Sequence, residues 1–313
     1  MRATSAHLKL LTGLVITFVA AWTQPLSAAL PGTTPARLAT AATQSSSTKT
    51  APLPARDSAR LPGKGRWTVG IFNPLEIGIT DKISIETHPL LLIASPNVTV
   101  RHSTFNFGGW RLTQEYGLNM PRLGVTSALP LGLAGYFTPD CKVTAHDPSK
   151  ANSCDQGGWV LVPSLGAKLS TGARHIWTIR AEVAVGLPLS GELWRPLEHI
   201  PPADLLFAPI TYGFRARLGG RYDRALTDRM RLTGEANIYL VGASAKPYRN
   251  PLTVTGHIGF DIAVGSASRF TLGVMYTNSD QRKKDVETVD GRPQRVPVRN
   301  HDFYPTIDFI FGG

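Results

Sequence analysis

The chain has 313 residues, 42% of them hydrophobic and 18% charged, with a formal net charge of +11. No run beyond residue 30 reaches the ~20 apolar residues of a spanning helix. That excludes a helical membrane protein in this region but not a barrel, whose apolar residues alternate and never form a block.

The N-terminus reads "MRATSAHLKLLTGLVITFVAAWTQPLSAALPG". Arg2 and Lys9 precede an apolar stretch from Leu10 to Trp22, and small residues follow. This pattern predicts a cleaved secretory signal peptide over 1–29, cut near Ala28 or Ala29. Export removes Arg2 and Lys9 and no acidic residue, so the charge falls from +11 to +9. Residues 30–63 are rich in Ala, Thr, Ser and Pro without an apolar period, which predicts a disordered linker. The folded part is then 64–313.

From Lys64 onward, period-2 alternation keeps returning. In "RMRLTGEANIYLV" (229–241), Arg231, Thr233, Glu235 and Asn237 alternate with Leu232, Gly234, Ala236 and Ile238. A strand with two chemically opposite faces has this pattern. The same reading gives about twelve strands: 66–79, 82–93, 96–104, 109–118, 122–135, 157–170, 174–186, 207–220, 228–241, 252–265, 269–280 and 301–311. Pro74 and "HPLLLI" interrupt the first two, so ten is the alternative count. Many of the strands reach the ~9–11 residues that a tilted strand needs to cross a bilayer.

Loop lengths carry a separate signal. "TGA" and "SAS" are short, whereas "GASAKPYRNP" and "QRKKDVETVDGRPQRVPVRN" are long, and short and long connections alternate. Alternation places every long loop at one end, as in transmembrane barrels. Cys141 and Cys154 fall within one long connection of an exported chain, which predicts a disulfide between them. A metal site there would recruit His146 and Asp147, but the spacing fits no zinc pattern.

The last strand, "HDFYPTIDFIFGG", sets Phe303, Ile307, Phe309 and Phe311 against Asp302, Tyr304, Thr306 and Asp308. It resembles the aromatic terminal strand of Gram-negative outer-membrane proteins, although two glycines follow Phe311. "GITDKISIETH" (78–88) resembles a strand–turn–strand start common in such barrels. This class resemblance spans 64–313. It implies an all-β, antiparallel up-and-down transmembrane barrel in the cell outer membrane. Its partners would be outer-membrane lipids and, during insertion, the barrel-assembly machinery.

The polar faces carry Glu86, Arg101, Arg111, Glu115, Lys168, Arg180, Glu182, Arg215, Arg217, Arg231, Glu235, His257, Asp261 and Asp308. Each Arg or Lys facing lipid at mid-bilayer would cost ~2–4 kcal/mol, so this face is expected to line the lumen. Trp110, Trp159, Trp177, Tyr212 and Tyr276 are expected on the lipid face, some of them in interface belts.

Three functions fit such a chain. The first is a narrow porin-like or solute-uptake channel, in which Arg215, Arg217 and Arg231 favour small anionic solutes. The second is a non-transporting interaction or structural barrel whose lumen is closed by ion pairs. The third is a lipid-directed hydrolase, which needs a Ser–His pair with an orienting group. His102 and Ser103 point to opposite faces, and His257 and Asp261 lie about 13 Å apart along one strand. No catalytic residue, cofactor or metal is therefore assigned. Nucleic acid is not an expected partner, because the arginines alternate inside strands of an exported chain. "QRKK" (281–284) reads as a solvated loop, with lipopolysaccharide phosphate as the alternative.

Overall fold

The computed structural model describes residues 55–89, 92, 95–121, 159–190, 201–242, 251–265, 267–289 and 292–313. The signal-peptide region, residues 30–54 of the expected linker, and Cys141 with Cys154 lie outside them.

Thirteen strands form one antiparallel sheet. They are β1 (Trp67–Gly70), β2 (Leu75–Gly78), β3 (Ile83–Thr87), β4 (Asn97–Phe107), β5 (Trp110–Asn119), β6 (Trp159–Thr171), β7 (His175–Val185), β8 (Leu187–Ser190), β9 (Phe214–Ala225), β10 (Met230–Val241), β11 (Leu252–Ala263), β12 (Ser268–Val289) and β13 (Arg292–Gly312). Each wall strand pairs with its sequence neighbour, β7 with β9, and β1 with β13, while β5 pairs with β6. Twelve strands thus close into an up-and-down barrel, and β8 is a side branch on β6. Closure leaves no sheet edge around the ring, which lets a sheet stand in hydrocarbon.

The expected count of twelve is right, although the bounds of several expected strands differ, and of 82–93 only Ile83–Thr87 is strand. The candidate at 66–79 is two strands, because Asn73 and Pro74 lie in a turn between β1 and β2. The wall also closes without the candidate at 122–135, which lies outside the described residues. β5 meets β6 directly, from Trp110 opposite Thr171 to Asn119 opposite Val162.

A further difference concerns the expected strand 207–220. Its first half belongs to a helix, α1 (Pro201–Tyr212). Proline suits the first turn of a helix because its missing N–H has no partner there anyway. Gly213 ends the helix at φ +78°, its N–H donating to Pro209 O at 2.9 Å, a backbone conformation that favours glycine. Tyr212 is consequently on α1 and not on a lipid-facing strand.

The connections at 79–82, 108–109, 172–174, 226–229 and 264–267 all lie at one end of the barrel. Those at 88–96, 120–158, 186–213 and 242–251 lie at the other, as does the tip of the β12–β13 hairpin. This is the parity read from the sequence, with two exceptions at the second end: the β1–β2 connection is only 71–74, and the expected long loop 281–300, with QRKK, lies in β12 and β13 apart from 290–291. Burial alternates as well. In β7, Ile176, Thr178 and Arg180 are buried while Trp177, Ile179 and Ala181 are exposed. Trp110, Trp159 and Trp177 are exposed, and the Trp177 ring packs tilted against Tyr222 with centroids 4.4 Å apart.

Candidate functional site

The interior of the barrel is polar and mostly charged. Arg101, Lys168, Arg180, Arg221, Asp223, Arg231, Asp261 and Asp308 are buried, whereas Ile179, Leu218, Ile238, Ile258 and Leu272 are exposed on the outside. Buried charged side chains and exposed apolar ones thus occupy opposite faces of the wall strands.

The charges form a connected network across the lumen. Arg101 on β4 meets Glu76 on β2 at 2.5 Å, Glu115 on β5 at 2.9 Å and Glu86 on β3 at 4.0 Å. Glu115 also meets Lys168 on β6 at 2.9 Å. Arg180 on β7 meets Glu235 on β10, and Glu235 accepts from Arg217 on β9 at 3.1 Å. Glu182 pairs with Arg215 and lies 3.8 Å from Arg217. Arg221 is bidentate on Asp223, with both bonds at 3.0 Å. Buried groups of this kind are stable only when each has its partner.

The network is completed by residues outside the wall. Asp57 bridges Lys168, at 2.5 Å, and Arg180. Arg56 is bidentate on Asp261, at 2.8 and 2.9 Å. Ala59 N donates to Ser170 Oγ at 2.8 Å, and Ala59 O accepts from Thr113 Oγ1 at 2.7 Å. Ser58 O accepts from Arg101 at 2.6 Å, and Arg60 reaches Gly172 O. Residues 56–60 therefore span the lumen, bonded to β4, β5, β6, β7 and β11.

This corrects the expectation for residues 55–63, which are part of the barrel's interior and not linker. Composition held no sign of it, because the wall strands that residues 56–60 bond to are all more than 40 residues away in sequence. Burial alone would raise the Asp57 carboxyl, but Arg180 and Lys168 outweigh it and hold the group well below the ordinary aspartate range.

The other residues singled out from the sequence stand as follows around this frame. Arg111 shares the inward face of β5 with Thr113 and Glu115 but is exposed beside the 108–109 turn. Arg231 stands opposite Asp261 across β10 and β11. His257 Nε2 lies 3.0 Å from Thr306 Oγ1, and its cross-strand partner is Glu235. Asp308 is inward and buried, but its carboxylate serves the backbone: Oδ1 accepts from Ile71 N at 2.8 Å, Phe72 N at 3.1 Å and Phe309 N at 2.8 Å.

A cavity of about 920 Å³ runs beside segment 55–62. Trp67, Arg269 and Gly313 line it at the short-turn end, and Asn97, Asn119 and Arg215 at the long-loop end. Glu86, Arg101, Glu115, Lys168, Arg180, Glu182 and Arg217 line its middle. At the long-loop end, α1 rests on β9 and β10, with Leu205 and Ala208 packed against Val241. Leu206 and Pro209 of α1 border the cavity, and Leu205 O accepts from Arg215 Nη1 at 3.0 Å. Among the described residues, no group of three or more His, Cys, Asp or Glu is arranged to hold a metal ion.

Twelve closed antiparallel strands, an apolar exterior, a charged interior and sorted loops define the class: this is an outer-membrane β-barrel. No family model and no curated protein matches the chain. Solved structures similar to it include two of OmpT, an outer membrane protein of Vibrio cholerae. The outer-membrane-expressed form is 9% identical, with 77% of this chain and 64% of that chain covered, and a TM-score of 0.40. The form folded in vitro is also 9% identical, with coverages of 79% and 64% and a TM-score of 0.36. The chain thus spans less than two thirds of the length of either.

Proposed function

We propose that this protein is a narrow outer-membrane channel for small polar solutes, its bore set by residues 55–62 lying inside the barrel. The observation that carries this is that one cavity is lined by residues of both barrel ends. A charge-lined passage of small bore admits small hydrated solutes and excludes large ones. The expected basic surplus at Arg215 and Arg217 is offset by Glu182 and Glu235, so the channel has only weak preference for anions. In the cell it lies in the outer membrane, exported by the signal peptide over 1–29.

A second reading, a non-transporting barrel with a closed lumen, is favoured by one observation. Residues 56–60 bond to five wall strands and carry the ion pairs across the interior. Conductance in planar bilayers separates the two. Small, weakly selective steps from the purified protein support the channel, whereas a silent protein of verified fold supports the closed barrel.

A further inference from the structure

Segment 55–62 presents one carboxylate to the wall, and the wall meets it with two cations. Asp57 Oδ1 lies 2.5 Å from Lys168 Nζ, and Asp57 Oδ2 pairs with Arg180 Nη1. Lys168 and Arg180 are cross-strand partners on β6 and β7, close enough on one inward face to share an anion. Each carboxylate oxygen thus has its own cation. A two-oxygen anion matches this fork better than chloride, which offers one centre to both cations. Arg217 and Arg221 add their pull on the same carboxylate from farther away.

The two cations do not depend on Asp57 alone. Lys168 also meets Glu115 at 2.9 Å, and Arg180 also meets Glu235. Each therefore keeps a wall carboxylate when Asp57 withdraws. The segment keeps its place as well. Arg56 is bidentate on Asp261, Ser58 O accepts from Arg101, and Ala59 bonds to Ser170 and Thr113. Rotation of one side chain is therefore enough to open the niche, with the segment still anchored on both sides of it.

Asp57 holds its position against its own backbone. Its φ is +52°, the sole left-handed value among the described non-glycine residues. Glycine adopts that conformation freely, whereas a Cβ makes it costly. A carboxylate thus stands where glycine would suit the chain better. The niche also faces the bore. The side chains of Lys168 and Arg180 are 8% and 6% exposed and that of Asp57 is 34% exposed, and all three border the cavity of about 920 Å³. A solute in the cavity meets Asp57 first, at the spot where it covers the two cations.

We infer that Lys168 and Arg180 form a carboxylate-binding station in the bore, with Asp57 as a resident stand-in that a small solute carboxylate displaces. Monocarboxylates of about the size of acetate are the class that fits, because the displaced side chain ends in the same group. Exchange of like for like lets a solute bind and depart without leaving the fork empty, which suits passage through a narrow pore. The station deepens the channel reading and rests on it for transport, though not for binding.

NMR titration with carbon-13-labelled acetate tests the station in the full chain, folded in detergent at constant ionic strength. Asp57→Gly removes the stand-in and suits the backbone at φ +52°. An internal competitor weakens apparent affinity by the fraction of time it holds the site, so acetate should bind Asp57→Gly at least about tenfold more tightly than wild type. Adding Lys168→Gln should abolish that gain. Formate should compete with acetate, and chloride at the same concentration should not. Heat-modifiability verifies folding, and Asp57→Asn replaces a glycine variant that fails to fold, with the same order of affinities expected. Equal acetate affinity in wild type and variant, or competition by chloride as strong as by formate, would overturn the station. Acetate binding as expected in a protein that conducts nothing would overturn the channel reading alone.

Discussion

Asp57 is the residue on which the interior network turns. It stands between Lys168 and Arg180, which are direct cross-strand partners on β6 and β7. Their Cβ atoms are ~4.5–5.5 Å apart in such a pair, so Asp57→Ala leaves two cations facing each other. Removing one partner of a fully buried pair costs ~3–5 kcal/mol. Here the cost is smaller, because the Asp57 side chain is 34% exposed and both cations keep other acidic partners, Glu115 and Glu235. Screening and these remaining pairs reduce the loss to about 1–3 kcal/mol.

The assay is heat-modifiability on gels, with the temperature of the folded-to-unfolded transition as the readout. The pH dependence follows from the sign of the Asp57 shift. Its folded-state pKa is depressed, so its contribution is present above the ordinary aspartate range and lost as pH falls through the folded value. Wild type and Asp57→Ala should therefore differ at neutral pH and converge only in strong acid. Identical transitions at neutral pH would refute the role given to Asp57.

Three further outcomes are expected. Ile238→Arg, at an exposed outward position of β10, should cost ~2–4 kcal/mol in the membrane, measured by urea unfolding in lipid vesicles. Arg101→Ala should destabilise by about 3–5 kcal/mol, because Glu76, Glu86 and Glu115 lose their shared cation; the heat-modifiability temperature reports it. Asp308→Ala should cost about 1–3 kcal/mol by stranding the N–H groups of Ile71, Phe72 and Phe309. Hydrogen exchange at those three amides should quicken.

The wall was legible because alternation is a local property. Arg231, Thr233, Glu235 and Asn237 announce an inward face within one strand, and β10 spans Met230–Val241 as the period requires. Strand ends were less legible where alternation ran past its cause. "FAPITY" carries the period of a strand but belongs to α1, and Pro201–Pro202 with Gly213 were the available signals of a helix start and stop. Pairing of the charges was only half legible. Glu182 does face Arg217 in register across β7 and β9, but which strands adjoin depends on how the chain closes. Segment 55–62 was illegible for a physical reason. It has no periodicity of its own, and every bond that holds Arg56, Asp57 and Ala59 comes from a distant strand.

The most direct test is single-channel conductance of the wild type beside a variant lacking residues 55–62, at matched salt and with folding verified. Narrowing of the bore by that segment predicts small steps in the wild type and steps several-fold larger in the deletion. Equal conductance in the two proteins would contradict the account, because the bore would then be set by something other than residues 55–62.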